Sequence, residues 1–463
     1  MTSMTGLSAD LADWAIGFSL DAVPPEVAHN ARIRLLDLVG VMIASNSHDS
    51  VVAARRATAD ADAGGRGAHS LMAAAETSPA GAAFINGVAS AVLEFDDTHI
   101  ATNIHATCAI AAAALPVAQA GHLSGRQLLE ALLVGSEIVC RLGLVTPVRM
   151  HEMGFHPTSV YGVFAAAYAV ARLRGLPRDQ MVDAIGTAAS LSAGSIASFE
   201  DGTSTKTMHV GFAASAAIRA VALARAGVTG PRLVFEGRFG WYRSHVQAAE
   251  SFNFAALTDD LGSRWEVLNI ASKLYPCAYT LMPFISAALA LRQQNAINLQ
   301  EVRQISCAIM PRSFRTVCEP VEDKRRPRTY WHGRISLQHT VAEALALGRF
   351  DKSAYAPASL HDPVINALAD KVIYLPDLIA AADTTRSRAV VSITMNDGTT
   401  FSHTVEDMLG TSRNPASDAV YFDKFRANVD GVVTAALAEE LIERLMQLDA
   451  AEDVDTIFSG LRQ

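Results

Sequence analysis

The chain has 463 residues, half of them hydrophobic, with 47 acidic against 38 basic side chains and a net charge of −9. That length allows two or three domains around a large buried core, and the apolar content excludes a disordered chain. The acidic balance, with no basic stripe interleaved with aromatics, excludes nucleic acid as a partner.

Asp10 and Asp13 precede the first Lys or Arg, and no apolar segment with a small-residue cleavage site follows. A secretory signal is therefore not expected, and the expected location is the cytoplasm. The Ala-rich stretch 106–120 approaches membrane length, but Pro116 and its weakly hydrophobic alanines predict a buried helix, so no membrane partner is expected. Five cysteines, Cys108, Cys140, Cys277, Cys307 and Cys318, form neither a CxxC pair nor a metal-ligand spacing, which predicts buried thiols in a reducing compartment.

In chain order, apolar residues recur at helical spacing in Ala31–Ser45, Ala80–Leu93, Arg126–Leu144, Pro157–Arg174 and Gly211–Ala226. After Lys273 the pattern changes. Val302, Ile305, Cys307 and Ile309 predict a strand, Ile335–Leu347 a helix ended by Gly348, and Pro363–Val372 another helix. The alternating runs 391–395 and 399–405, joined through Asn396-Asp397-Gly398, predict a hairpin. Val432–Leu448 predicts a last helix. The fold class expected is mostly α with a smaller α+β domain. A helical domain is placed in 1–272, rejoined by 406–463, and a smaller α+β domain in 273–405. No dinucleotide fingerprint, P-loop or solenoid repeat occurs; Gly64-Gly65-Arg66-Gly67 is a glycine-rich loop only.

Four polar clusters interrupt the apolar helices. The first is Glu94-Phe95-Asp96-Asp97-Thr98-His99, followed by His105, which brings carboxylates, a hydroxyl and two imidazoles together for proton transfer. Asp97 or Thr98 could equally cap a helix end. The second, His151-Glu152-Met153-Gly154-Phe155-His156-Pro157-Thr158-Ser159, reads HExxxH, one residue off the zinc spacing, and predicts a loop entering a helix with His156 at its start. The last two surround lysines. Only six lysines occur, none before Lys206; Lys206 stands in Ser204-Thr205-Lys206-Thr207-Met208-His209 and Lys273 in Lys273-Leu274-Tyr275-Pro276-Cys277, at the expected domain junction. A compact ammonium with a tunable pKa at such a junction points to anion binding.

These motifs, together with Asn414-Pro415-Ala416-Ser417 ahead of Lys424-Phe425, resemble in identity and order the MmgE/PrpD superfamily over nearly the whole chain. The resemblance implies a helical domain with a lid, a homodimer, and no metal or organic cofactor. It also implies a lyase of the 2-methylcitrate dehydratase type acting on a small carboxylic acid substrate at a carbon next to a carboxylate. Decarboxylation of the cis-aconitate type and epimerisation of the iminodisuccinate type are its alternatives. Carried over by motif, His105, His156, Lys206, Lys273 and Asp97 are the implied catalytic residues, with His105 favoured as acid/base. Thr98, Glu94, His99, His209 and Tyr275 are the implied substrate contacts. Ala278 and Met282 stand where relatives often carry Cys or His, with Tyr279 and Thr280 as possible substitutes. That departure leaves open a non-catalytic carboxylate-binding protein.

Overall fold

The computed structural model describes residues 6–247 and 251–462. Two hydrophobic cores organise them. The first is built by long helices, among them Pro25–Ala44, Pro79–Ala91, Cys108–Ala120, Gly125–Leu144, Pro157–Leu173 and Thr205–Arg225. Asp418–Val429 and Ala435–Met446 return to it from the C-terminal side through Phe425, Val429, Leu441 and Leu445. The second core lies between the helices Met282–Gln294 and Leu337–Leu347 and a four-stranded sheet. Its strand order is Val372–Pro376, Val302–Ile309, Ala389–Met395, Thr400–Val405, the first pair parallel and the others antiparallel. The protein is thus mostly helical with a smaller α+β part, the fold class its sequence predicts.

Local chemistry explains the main boundaries. Ser124 and Gln127 form a reciprocal capping box that starts Gly125–Leu144. Gly348, at φ 67°, ends Leu337–Leu347 in the left-handed conformation that glycine adopts freely. In the hairpin, Ala389, Val391, Ile393 and Met395 alternate inward, and Gly398 takes φ 91° in the turn.

Two sequence expectations shift and one holds. The helix expected over Pro363–Val372 ends at Ala369, and Val372 opens a strand whose parallel register sets it opposite Ile305. Parallel pairing is a tertiary event with no local turn to announce it. The helix that Lys206 and His209 were expected to begin does start at Thr205 and places both in its first turns. Asp418–Val429 is a helix in a segment for which none was expected.

Thr205–Arg225 is long and apolar enough to cross a membrane by length and composition. Here it packs against Pro79–Ala91 and Pro157–Leu173. Glycine makes this approach possible: a Cβ on Gly87 would lie 2.5 Å from the Gly211 nitrogen, and one on Gly211 2.5 Å from the Phe84 carbonyl oxygen. Both obstacles are backbone, which cannot rotate away. Gly87→Ala and Gly211→Ala are each expected to destabilise the protein by about 1–3 kcal/mol in urea unfolding. Gly17→Ala, with nothing within 4 Å of the new Cβ, serves as a control expected to be neutral or slightly stabilising.

Candidate active site

The site begins where Pro79–Ala91 runs out. The chain turns sharply through residues 92–97, and Glu94 takes φ 52°, a left-handed conformation that a non-glycine residue holds only when its surroundings enforce it. Carbonyls past a helix end have no backbone partners of their own. Here side chains supply them. The Val92 carbonyl accepts from Arg334. The Glu94 carbonyl accepts from Lys273 Nζ at 3.3 Å, that of Phe95 from Lys424 Nζ at 3.0 Å, and that of Asp97 from His105 Nδ1 at 2.8 Å. Positive groups at a helix C-terminus also suit its dipole.

The Glu94 side chain points into the middle of this ring of cations. Its Oε2 accepts from Lys206 Nζ; its Oε1 lies 3.1 Å from Lys273 Nζ and 3.3 Å from His105 Nε2. Burial opposes its charge, but Lys206, then Lys273 and His105 outweigh burial, holding the carboxyl well below the usual carboxylate range. Lys273 is fully buried, which disfavours its charge, yet Glu94 and Asp96 outweigh that and raise it. Asp96 completes the cluster, 3.6 Å from Lys273 Nζ and 3.7 Å from His105 Nδ1.

His105 is oriented from both sides. A carbonyl can only accept, so the contact with Asp97 fixes the hydrogen on Nδ1 and turns Nε2 toward Glu94. Thr98 Oγ1 lies 3.1 Å from Nδ1, and Thr158 Oγ1 accepts the His105 backbone N–H at 3.0 Å. His156, the residue preceding the Pro157–Leu173 helix, meets His209 with Nδ1 atoms 3.2 Å apart. Burial, reinforced by Lys206, pushes His156 well below the usual imidazole range and His209 down to about 4. Both rings are neutral at pH 7, one donating to the other.

A cavity of about 160 Å³ opens above this cluster. Glu94, Thr98, His105, His156 and Lys206 line its helical side; Ala278, Tyr279, Thr280, Arg312 and Trp331 line its α+β side. Lys273 and His209 stand behind that lining, through Glu94 and His156 respectively. Three expected residues turn away from it. The Asp97 carboxylate accepts from the N–H groups of Ala106 and Thr107, at 3.0 and 3.2 Å, and from the Thr107 hydroxyl, so it caps the start of Cys108–Ala120. His99 bonds Thr102 Oγ1 at 2.9 Å and lies 3.6 Å from Glu266. Tyr275 packs edge-on against Phe350.

Glu94, expected only as a substrate contact, is the centre of the cluster. Arg312 and His151 also line the cavity, and no motif announced Arg312. Tyr279 and Thr280 reach it beside Ala278, whereas Met282 is buried in the second core. Donor atoms of Glu94, Asp96 and His105 lie within 4.8 Å of one another, a spacing able to hold a metal ion. Two ammonium groups already sit on those carboxylates, however, and would repel a dication, and Lys206 on the cavity lining suits an anion instead. Glu152 of the HExxxH run pairs with Arg149 at 2.9 Å.

Fold and cluster together define a helical protein with a smaller α+β part and, between them, a cavity lined by Glu94, His105 and Lys206. Residues 9–252 match the MmgE/PrpD N-terminal domain and residues 275–448 the MmgE/PrpD C-terminal domain, and the chain belongs to the MmgE/PrpD family. It is 24% identical to a cis-aconitate decarboxylase-like protein of Aspergillus oryzae, over 98% of this chain and 96% of that protein. It is 27% identical to cis-aconitate decarboxylase of Homo sapiens, over 83% of this chain and 79% of the human one. Its similarity to 2-methylcitrate dehydratase of Escherichia coli O157:H7 is 26%, over 63% and 62%. The relatives so named are lyases, and these identities select no single member.

The depressed histidines set an acid limit on stability. A group with a lowered folded pKa contributes stability fully above its unfolded value and loses it as pH falls toward the folded one. For His209 that window runs from 6.5 down to about 4, and His156 acts in the same direction. Glu94 adds a further loss below 4.5. The urea midpoint is expected to be level above pH 7 and to fall from pH 6.5 toward 4, with His209→Gln flattening the upper part of the decline. A midpoint that rises on acidification would contradict this electrostatic reading.

Proposed function

We propose that this protein is a lyase for small polycarboxylic acids that works without metal or organic cofactor, through a carbanion formed next to a carboxylate. The observation that carries this reading is the buried Glu94 cluster, with Lys206 and an oriented imidazole at the floor of the cavity and Lys273 behind Glu94. A substrate carboxylate entering there shares Lys206 with Glu94, and a second carboxylate meets Arg312 on the lid side.

His105, with Nδ1–H tied to the Asp97 carbonyl, uses Nε2 to take the proton from carbon, and Glu94 stabilises the imidazolium that results. The C–H electron pair becomes an enolate-like carbanion facing the lysines, whose preorganised charge matters most as the negative charge develops. For dehydration, that pair forms the C=C bond, the C–O bond breaks, and the departing hydroxyl takes the proton held by the His105 imidazolium to leave as water, which returns His105 to its neutral form. Asp97 contributes by positioning His105 and its helix, not by touching substrate.

Decarboxylation is the second reading. Similarity extends over 83% of the chain for human cis-aconitate decarboxylase and 98% for the decarboxylase-like protein, against 57–76% for the 2-methylcitrate dehydratases, which supports it. In that case the C–C electron pair becomes the carbanion, CO₂ leaves, and His105, which starts this route as the imidazolium, gives its proton to carbon and is reprotonated from solvent.

A proton NMR time course in D₂O with citrate, 2-methylcitrate and cis-aconitate separates these readings. Loss of a hydroxy acid with new alkene signals means dehydration; CO₂ release with deuterium in the product means decarboxylation. Exchange of a substrate proton without net conversion means epimerisation. Thermal stabilisation by these acids with no bond change would sink the lyase reading in favour of a carboxylate-binding protein.

Lys206→Met is expected to lower kcat by about a hundredfold to a thousandfold. The chain should still fold, because Lys273 and His105 keep Glu94 paired. His105→Gln is expected to cost about a hundredfold or more, with its pH–rate profile losing the limb that reports the imidazole. EDTA is expected to leave activity unchanged; activity restored by added metal would overturn the cofactor-free assignment.

A further inference from the structure

Lys424 stands outside the cavity, yet it touches the turn that forms the cavity floor. It lies on Asp418–Val429 and is buried, as is its partner Asp37 on Pro25–Ala44, with Nζ 2.6 Å from Asp37 Oδ1. The same Nζ donates to the Phe95 carbonyl at 3.0 Å and lies 3.9 Å from the centre of the Phe95 ring. Phe95 is the residue after Glu94, whose left-handed backbone requires enforcement. The neighbouring Phe425 docks against Gly40, where a Cβ would meet Phe425 Cδ2 at 2.9 Å, so the helix is fixed in position by backbone-close packing. On the same helix, Tyr421 accepts from Ser272 Oγ at 3.1 Å, beside Lys273.

We infer that Lys424 is a positioning residue for the reaction: anchored by Asp37, it grips both the carbonyl and the ring of Phe95 and so fixes the direction in which Glu94 presents its carboxylate to Lys206, Lys273 and His105. A buried ion pair is an uneconomical way merely to stabilise a core, since apolar replacements of similar size are often as stable or more so. A cation at this place makes sense when one ammonium must satisfy a carbonyl, face a ring and remain neutralised at once. The inference rests on the proposed site, but not on which acid the site takes.

The test uses the full chain carrying Asp37→Leu/Lys424→Met, which removes the ion pair without leaving a lone buried charge. Three quantities are read: the melting temperature, hydrogen exchange of the peptide spanning Glu94–His99, and steady-state kinetics with the acid that the wild type converts. A positioning role predicts a near-wild-type melting temperature, faster exchange confined to that peptide, and kcat lowered by about a hundredfold with KM nearly unchanged. Wild-type exchange and wild-type kcat in the folded double variant would overturn the inference. If the double variant does not fold, Asp37→Asn/Lys424→Met, which keeps the shape of the acid, takes its place in the same three measurements. If the wild type converts no acid, the lyase reading falls while the exchange measurement still decides the role of Lys424.

Discussion

A helix that ends in the protein interior leaves carbonyl groups that must find donors, and the turn after Pro79–Ala91 is where this structure meets that requirement. Four carbonyls, those of Val92, Glu94, Phe95 and Asp97, accept from Arg334, Lys273, Lys424 and His105. The donors come from every major part of the chain: His105 from the segment just after the turn, Lys273 from the junction, Arg334 from the α+β part, Lys424 from the C-terminal helix. Satisfying one buried turn therefore draws both cores and the returning C-terminus to a single point. The cleft lies there because the donors must converge there.

The same arrangement settles the electrostatics. Isolated buried charges are costly, and a pair broken on one side leaves a stranded ion. Glu94 avoids this by facing two ammonium groups and an imidazole, and Lys273 by facing Glu94 and Asp96. Lys206 and Arg312, which line the cavity, are the cations that an anionic ligand can use. It enters a field already built and held by the fold, so little reorganisation is needed as charge develops on carbon. His156 and His209 stay neutral beside it because burial and Lys206 together disfavour a further positive charge.

Much of this was legible in the residues. Helical periodicity and the Asp-Gly hairpin are local signals, and the elements they predict form. The scarcity of lysine drew attention to Lys206 and Lys273, and the polar clusters drew attention to His105 and His156. The roles of the carboxylates were not legible. Glu94 and Asp97 are three residues apart in one acidic run, and nothing in their spacing tells which faces the ligand. The left-handed backbone of Glu94 decides it, turning that side chain to the lysines while Asp97 caps the next helix. Arg312 and Arg334 were invisible for a related reason: an arginine in a mixed segment looks like a surface residue until tertiary pairing brings the lid over the cleft.

This division of the site bears on how one family can hold different reactions. In the proposed mechanism the carbanion forms against His105, Glu94 and the lysines, all tied to the turn and its four capped carbonyls. Lys273 and His105 hold carbonyls of the turn as well as the Glu94 carboxylate, so altering either touches the fold as well as the chemistry, and that half is poorly suited to vary. Ala278, Tyr279, Thr280, Arg312 and Trp331 lie on the opposite wall, on the α+β part, and hold no carbonyl of the turn. They can change without loosening the ion cluster. Whether a bound acid presents a hydroxyl or a carboxylate as its leaving group depends on how that wall orients it above a fixed floor. On the proposed mechanism, the reacting carbon is governed by the helical half and the choice of bond to break by the α+β wall.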